Sequence, residues 1–123
     1  MLKLHKIDNR HIQFSTPLDD LKYNKEDLLY AIEEYGYKCD ESKSLGFFGK
    51  HGLSKNRSHY VETIEVDEEN GWVHGTIQLI DTPKGKQVMD ILKNNLTQYL
   101  NMDFRIDETS NGVDILSIDF LDM

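Results

Sequence analysis

The stretch SHYVETIEVDEENGWVHGTIQLIDTPKGKQVM, residues 58–89, constrains this chain more than any other, because two strands, a tight turn and a capped helix are all readable in it. Tyr60, Ile64 and Val66 alternate with Glu65 and Asp67, and Glu69-Asn70-Gly71 supplies a turn whose positive backbone angles Asn-Gly tolerates well. A β-hairpin is expected. Its second strand, residues 72–80, carries Val73, Ile77 and Leu79 on one face and Trp72 and Ile80 on the other, so one face should meet the core and the other a helix. Thr82 then caps a helix with Pro83 at its first position, where the missing amide costs nothing. Val88, Met89, Leu92 and Leu96 form that helix's expected buried stripe, ending near Asn94-Asn95.

The flanks supply further elements. Residues 2–7 and 11–14 read as an opening hairpin about Asp8-Asn9, with His5 and His11 as exposed or edge histidines. Asn24 begins a helix, with Asp27 in its first turn at the positive end of the dipole. Leu28, Leu29, Ile32 and Tyr35 share one stripe, and Gly36 is the expected C-terminal cap. Tyr23, Tyr30, Tyr35 and Tyr37 are read as amphipathic packing residues rather than a stacking platform for bases. Residues 38–56 read as a connecting loop, interrupted by the apolar piece 45–48. Residues 102–107, a Ser110-Asn111-Gly112 turn and residues 113–121 give a last hairpin. Its apolar phase shifts from Val113 and Ile115 to Ile118 and Phe120, which places a bulge near Leu116-Ser117. The sum is one domain over residues 1–123 of α+β class: a mostly antiparallel, curved or barrel-like sheet of six or seven strands with two packed helices.

Charge narrows the function classes. With 14 basic against 22 acidic side chains the formal charge is −8, which argues against direct nucleic-acid binding by phosphate neutralisation. The single Cys39 can form no internal disulfide, so a reducing compartment is expected. The opening MLKLHKIDNR lacks the apolar core of a signal peptide, and no window approaches the roughly 18 apolar residues of a membrane span. Neither secretion nor membrane insertion is expected.

Chemical motifs are mostly excluded by spacing. Gly85-Lys86 ahead of a helix is reminiscent of a phosphate loop, but Ile80 stands where that motif needs glycine and Gln87 where it needs Ser or Thr. His51, His59 and His74 show no metal-ligand spacing, Cys39 has no partner, and neither metal nor cofactor is expected. There is no GxSxG, and adjacent Ser58 and His59 on a strand should point to opposite faces rather than form a dyad.

The run 58–89, with its hairpin, Asp81-Thr82-Pro83 and Gly85-Lys86, resembles the prohead core protease family of T4-like tailed phages, whose fold is similar to herpesvirus assemblin. The similarity extends to residues 24–35, to Leu45-Gly46 through His51, to Arg105 and to the final strand 115–122, covering about residues 20–122. The resemblance implies a base at His51, matching the histidine of the family's Gly-Glu-x-x-His-Pro segment at a one-residue offset. Here that segment reads Gly46-Phe47-Phe48-Gly49-Lys50-His51-Gly52, without the Glu and Pro. It implies a nucleophilic serine in a Gly-Val-Ser-Ser-Arg-Gly segment. The matching residues here are Asp103, Phe104 and Arg105, so Arg105 is kept and the serines are replaced. A carboxylate is no simple substitute, because it is already ionised and its acyl product would be an anhydride.

The expectation is therefore a non-catalytic protein with a prohead-protease-like fold. It would act through a protein partner, a phage head or scaffold protein or a host protein, in head assembly, the virion or the host cytoplasm, and the resemblance implies a homodimer. One alternative is an active serine endopeptidase that matures head proteins with a displaced nucleophile at Ser54, Ser58 or Ser110. Another is an acidic decoy for a host nucleic-acid-binding protein, presenting Asp19-Asp20, Glu33-Glu34 and Asp67-Glu68-Glu69.

Overall fold

Short-period alternation of apolar and polar residues fixes seven strands, and two amphipathic stripes fix two helices, in the computed structural model, which describes residues 2–121. In chain order these are β1 (Lys3–Lys6), β2 (His11–Pro17), α1 (Lys25–Ser42), β3 (Ser44–Phe47) and β4 (Arg57–Asp67). There follow β5 (Trp72–Leu79), α2 (Pro83–Lys93), β6 (Met102–Thr109) and β7 (Gly112–Phe120). Five strands form one antiparallel sheet in the order β1-β2-β5-β4-β3, and β6 and β7 form a separate hairpin. The architecture is α+β, as the sequence indicates. The final strand ends at Phe120, and Asp122 lies outside the described residues.

One core serves both sheets. Ile12 and Phe14 on β2, Val61 and Ile64 on β4, and Val73, Ile77 and Leu79 on β5 turn inward. They meet Leu28, Ile32 and Tyr35 of α1, Val88 and Leu92 of α2, and Phe104, Ile118 and Phe120 of the hairpin. Phe14 and Phe104 pack edge-on with centroids 6.0 Å apart, joining the two sheets across the interior. The other face of β5 carries Trp72, His74, Thr76 and Gln78, all partly exposed, so it faces solvent and not the expected helix.

Three local expectations are corrected. Gly36 does not end α1, which continues to Ser42 because Cys39 extends the buried stripe one turn beyond Tyr35. Gly36 instead lets the helix approach β4, where a Cβ would stand 3.2 Å from the Ile64 carbonyl oxygen. Leu96 falls outside α2, which stops at Lys93, and is 39% exposed. Tyr30 and Tyr37 are exposed rather than packed, whereas Tyr35 is buried. The last hairpin behaves as read: Arg105 faces Ser117 and Ile106 faces Ile115, leaving Leu116 as the extra residue of a bulge.

The sheet is not closed into a barrel, and side chains explain why. β3 and β7 run alongside each other, joined by the parallel bridge Phe48 to Phe120 and by Gly49 N–H to Phe120 O at 3.1 Å. Two residues back along both strands, a continuing parallel ladder would join Phe47 N–H to Ile118 O. Instead Phe47 N–H donates to Asp119 Oδ1 at 3.0 Å, and the Ile118 carbonyl accepts from His59 Nε2 at 2.7 Å. The seam is thus held by side chains in place of a ladder.

Candidate functional site

His51 lies in the loop after β3, and that loop is tightly held. Gly49 adopts φ +102°, a conformation that few side chains tolerate, and Phe48 N–H donates to Asn56 O at 2.7 Å. Buried Asn56 closes the loop by donating from Nδ2 to Lys50 O at 3.1 Å. The His51 ring packs edge-on against Phe47, with centroids 5.0 Å apart.

Alternation on β7 puts Ser117 and Asp119 on the same face, and both reach His51. Ser117 Oγ is 2.8 Å from His51 Nδ1, and Asp119 Oδ2 is 3.2 Å from the same nitrogen. From the facing strand β6, Arg105 Nε donates to Asp119 Oδ2 at 3.2 Å. Asp119 and Ser117 are fully buried, while the His51 and Arg105 side chains are 38% and 37% exposed. The arrangement is a buried carboxylate that gathers one backbone amide, one guanidinium and one imidazole. A carboxylate beside Nδ1 favours the tautomer with the proton on Nδ1, which leaves the Nε2 lone pair free to take a proton.

Two of the four positions matched to the family therefore converge: His51 and Arg105 share one oxygen of Asp119. The other two do not join them. Phe104 points into the core, and Asp103 is exposed, its Oδ1 accepting from Phe104 N–H at 2.9 Å. From the sequence, Asp119 and Ser117 carry no expected site role, and Ser117 marks only the bulge. Their signal is the polar pair at i, i+2 within the apolar run of residues 115–120, a pattern that buries two polar side chains on one face of a strand.

The geometry differs from a catalytic triad. A triad places acid and nucleophile on opposite ring nitrogens, whereas here Ser117 and Asp119 both address Nδ1. Among the described residues no hydroxyl or thiol is hydrogen-bonded to His51 Nε2, and no group of three or more His, Cys, Asp or Glu side chains could hold a metal ion.

A second serine–histidine contact lies in the core. Ser58 and His59 are expected on opposite faces, yet both are buried and Ser58 Oγ reaches His59 Nδ1 at 2.6 Å, because the β3–β4 register shifts there: Gly46 faces His59 and Phe47 faces Arg57, leaving Ser58 as the extra residue of a bulge. The pattern defines one tautomer: Nε2–H donates to Ile118 O, and Nδ1 accepts from the Ser58 hydroxyl. Burial pushes the imidazole down from 6.5 to about 4, so it is neutral at neutral pH. Gly46 makes room for this ring, since a Cβ there would overlap it. Both residues are fully buried and act as packing.

No protein-family model and no curated protein matches this chain. Among solved structures, the bacteriophage T4 capsid assembly protease, gp21, is similar over 100% of this chain and 97% of its own, with a TM-score of 0.58 and 13% sequence identity. At that identity the likeness defines a fold: the chain has a phage prohead-protease-like architecture. Among the described residues no helix is long and apolar enough to cross a membrane.

Proposed function

We propose that this chain is a non-catalytic protein built on the phage capsid-protease fold. It serves as a structural or binding component in head assembly, in the virion or in host takeover, through a protein partner from the phage head or the host. The observation that supports this reading is the hydroxyl at His51: Ser117 is sealed from solvent and shares Nδ1 with Asp119, so a peptide carbonyl has no path to it. Asp103 and Phe104 at the family's serine positions point the same way. The test is incubation of the purified protein with the capsid and scaffold proteins encoded nearest its gene. No cleavage is expected, and cleavage abolished by His51→Ala would overturn the proposal. Mass spectrometry of purified virions distinguishes a head component from a host-directed one.

A second reading, an active serine endopeptidase, draws on the 2.8 Å contact between Ser117 and His51. It requires β7 to open enough to expose Ser117. Fluorophosphonate labelling at Ser117 that disappears in His51→Ala would favour it over the first.

A further inference from the structure

β4 is paired on only part of its outer edge. β3 accompanies it up to Val61, and from Glu62 to Asp67 the flank of α1 stands where a further strand would lie. Between that flank and β4 runs an open groove of about 450 Å³, with a floor of Leu29, Ile32, Gly36 and Ile64. Tyr30 and Tyr37 stand at its margin, 67% and 59% exposed, although each offers a large apolar ring. The rim carries Glu33, Asp40, Glu65 and Glu68, and among the described residues no basic side chain lines the groove. Beyond Tyr30 a second hollow continues the same sign of charge with Asp27 and Asp114.

An apolar floor inside a ring of four carboxylates selects its occupant. A neutral apolar segment would leave the rim uncompensated, and an acidic one would be repelled. A second copy of this chain is disfavoured for the same reason, at a formal charge of −8 each. We propose that the groove between α1 and β4 docks a lysine- or arginine-rich segment of another protein, anchored by one large apolar side chain between Tyr30 and Tyr37. The rim steers and holds the basic residues, while the floor discriminates for the anchor. None of the residues around His51 takes part, so the groove's test leaves the reading of that cluster untouched.

The test uses the intact protein and two fluorescein-labelled peptides, KKKKFKKKK and KKKKSKKKK, in anisotropy titrations at physiological salt. The phenylalanine peptide should bind at least tenfold tighter. The double variant Asp40→Lys/Glu65→Lys changes two exposed side chains; it should melt as the wild type and lose at least tenfold in affinity. Amide shifts on binding should concentrate in residues 29–40 and 64–68. Equal affinity for the two peptides would reduce the surface to diffuse charge and overturn the proposal, as would full binding by the charge-reversed variant or shifts centred elsewhere. A wild-type dimer in sedimentation equilibrium that the double variant breaks would give the groove to a second copy and equally overturn it.

Discussion

Acidification should strip stability from this fold through one residue, His59. The folded chain holds its imidazole neutral down to about pH 4, whereas the unfolded chain takes up the proton near 6.5. The neutral form is favoured because the ring is fully buried, and that loss of hydration outweighs the Ile118 carbonyl and the nearby Asp119 carboxylate, both of which favour the charged form. The folded value lies below the unfolded one, so the unfolded state binds more protons between the two. Stability is therefore fully present above about pH 6.5 and falls progressively as pH drops to about 4. At about 1.4 kcal/mol per pH unit, that window removes about 3 kcal/mol, a large share of the roughly 5–15 kcal/mol that holds a domain folded. The assay is urea unfolding at pH steps from 7.5 to 4 for the wild type and His59→Gln. Glutamine can keep the donor to Ile118 O but binds no proton. It should start about 2 kcal/mol less stable, having lost the Ser58 bond and the edge-on contact with Phe120, and then fall more gently. Asp8 and Asp67 act at the acid end of this window and below. Their carboxyls are held beneath 3.8, chiefly by the Arg10 backbone amide and the Asn70 side chain respectively, and subtracting the two variants cancels them. Parallel stability lines for the two proteins across this range, or a native His59 resonance titrating near 6.5, would refute the reasoning.

Changes at three further positions probe the same frame. Gly46→Ala forces a methyl group into the His59 ring and should cost about 3 kcal/mol or more in urea unfolding; wild-type stability would mean that the ring can move. Asp119→Ala should cost about 3 kcal/mol and Asp119→Asn about half that, since asparagine still accepts from Phe47 N–H. The Arg105 pair, 37% exposed, adds little, so equal losses in both variants by thermal melting would shift the weight to charge. Thr82→Ala removes the side-chain acceptor of Gly85 N–H and the hydroxyl donor to Arg57 O, and should lower stability by about 1 to 2 kcal/mol with loss of helical circular dichroism.

What was readable in the sequence was what is encoded locally. The Thr82-Pro83 start of α2, the Asn24 cap and the bulge at Leu116 each depend on residues within a few positions of one another and form as read; the turn at Asn70-Gly71 also forms, but as a four-residue loop in which Gly71 alone takes a positive φ and Asn70 bonds to Asp67. The misreadings have long-range causes. Gly36 looks like a stop because glycine commonly ends helices, yet its role is set by Ile64, far along the chain. The exposed Tyr30 and Tyr37 belong to a helix flank that leaves an open groove beside β4, and periodicity cannot register a missing neighbour. Likewise Ser117 and Asp119 are unremarkable polar residues in an apolar strand until the fold brings His51 to them.

The seam between β3 and β7 also bears on how the His51 cluster is to be weighed. A histidine held on a buried aspartate is the part of a hydrolase site that a search for function would take as a signature. Here the aspartate has a second occupation: it receives the Phe47 amide that would otherwise pair with Ile118, and His59 receives the Ile118 carbonyl in return. Removing Asp119 would leave a buried donor unpaired whether or not His51 ever moves a proton. The same carboxylate would then be needed in a protease and in a protein that had lost its chemistry, so the His51–Asp119 pair cannot separate the two. The hydroxyl can, because a nucleophile has to be reached by substrate, and packing asks nothing of the kind. Ser117, enclosed and turned toward the nitrogen already claimed by Asp119, is placed as a packing residue would be, and its reactivity toward a fluorophosphonate is the measurement on which the non-catalytic reading stands or falls.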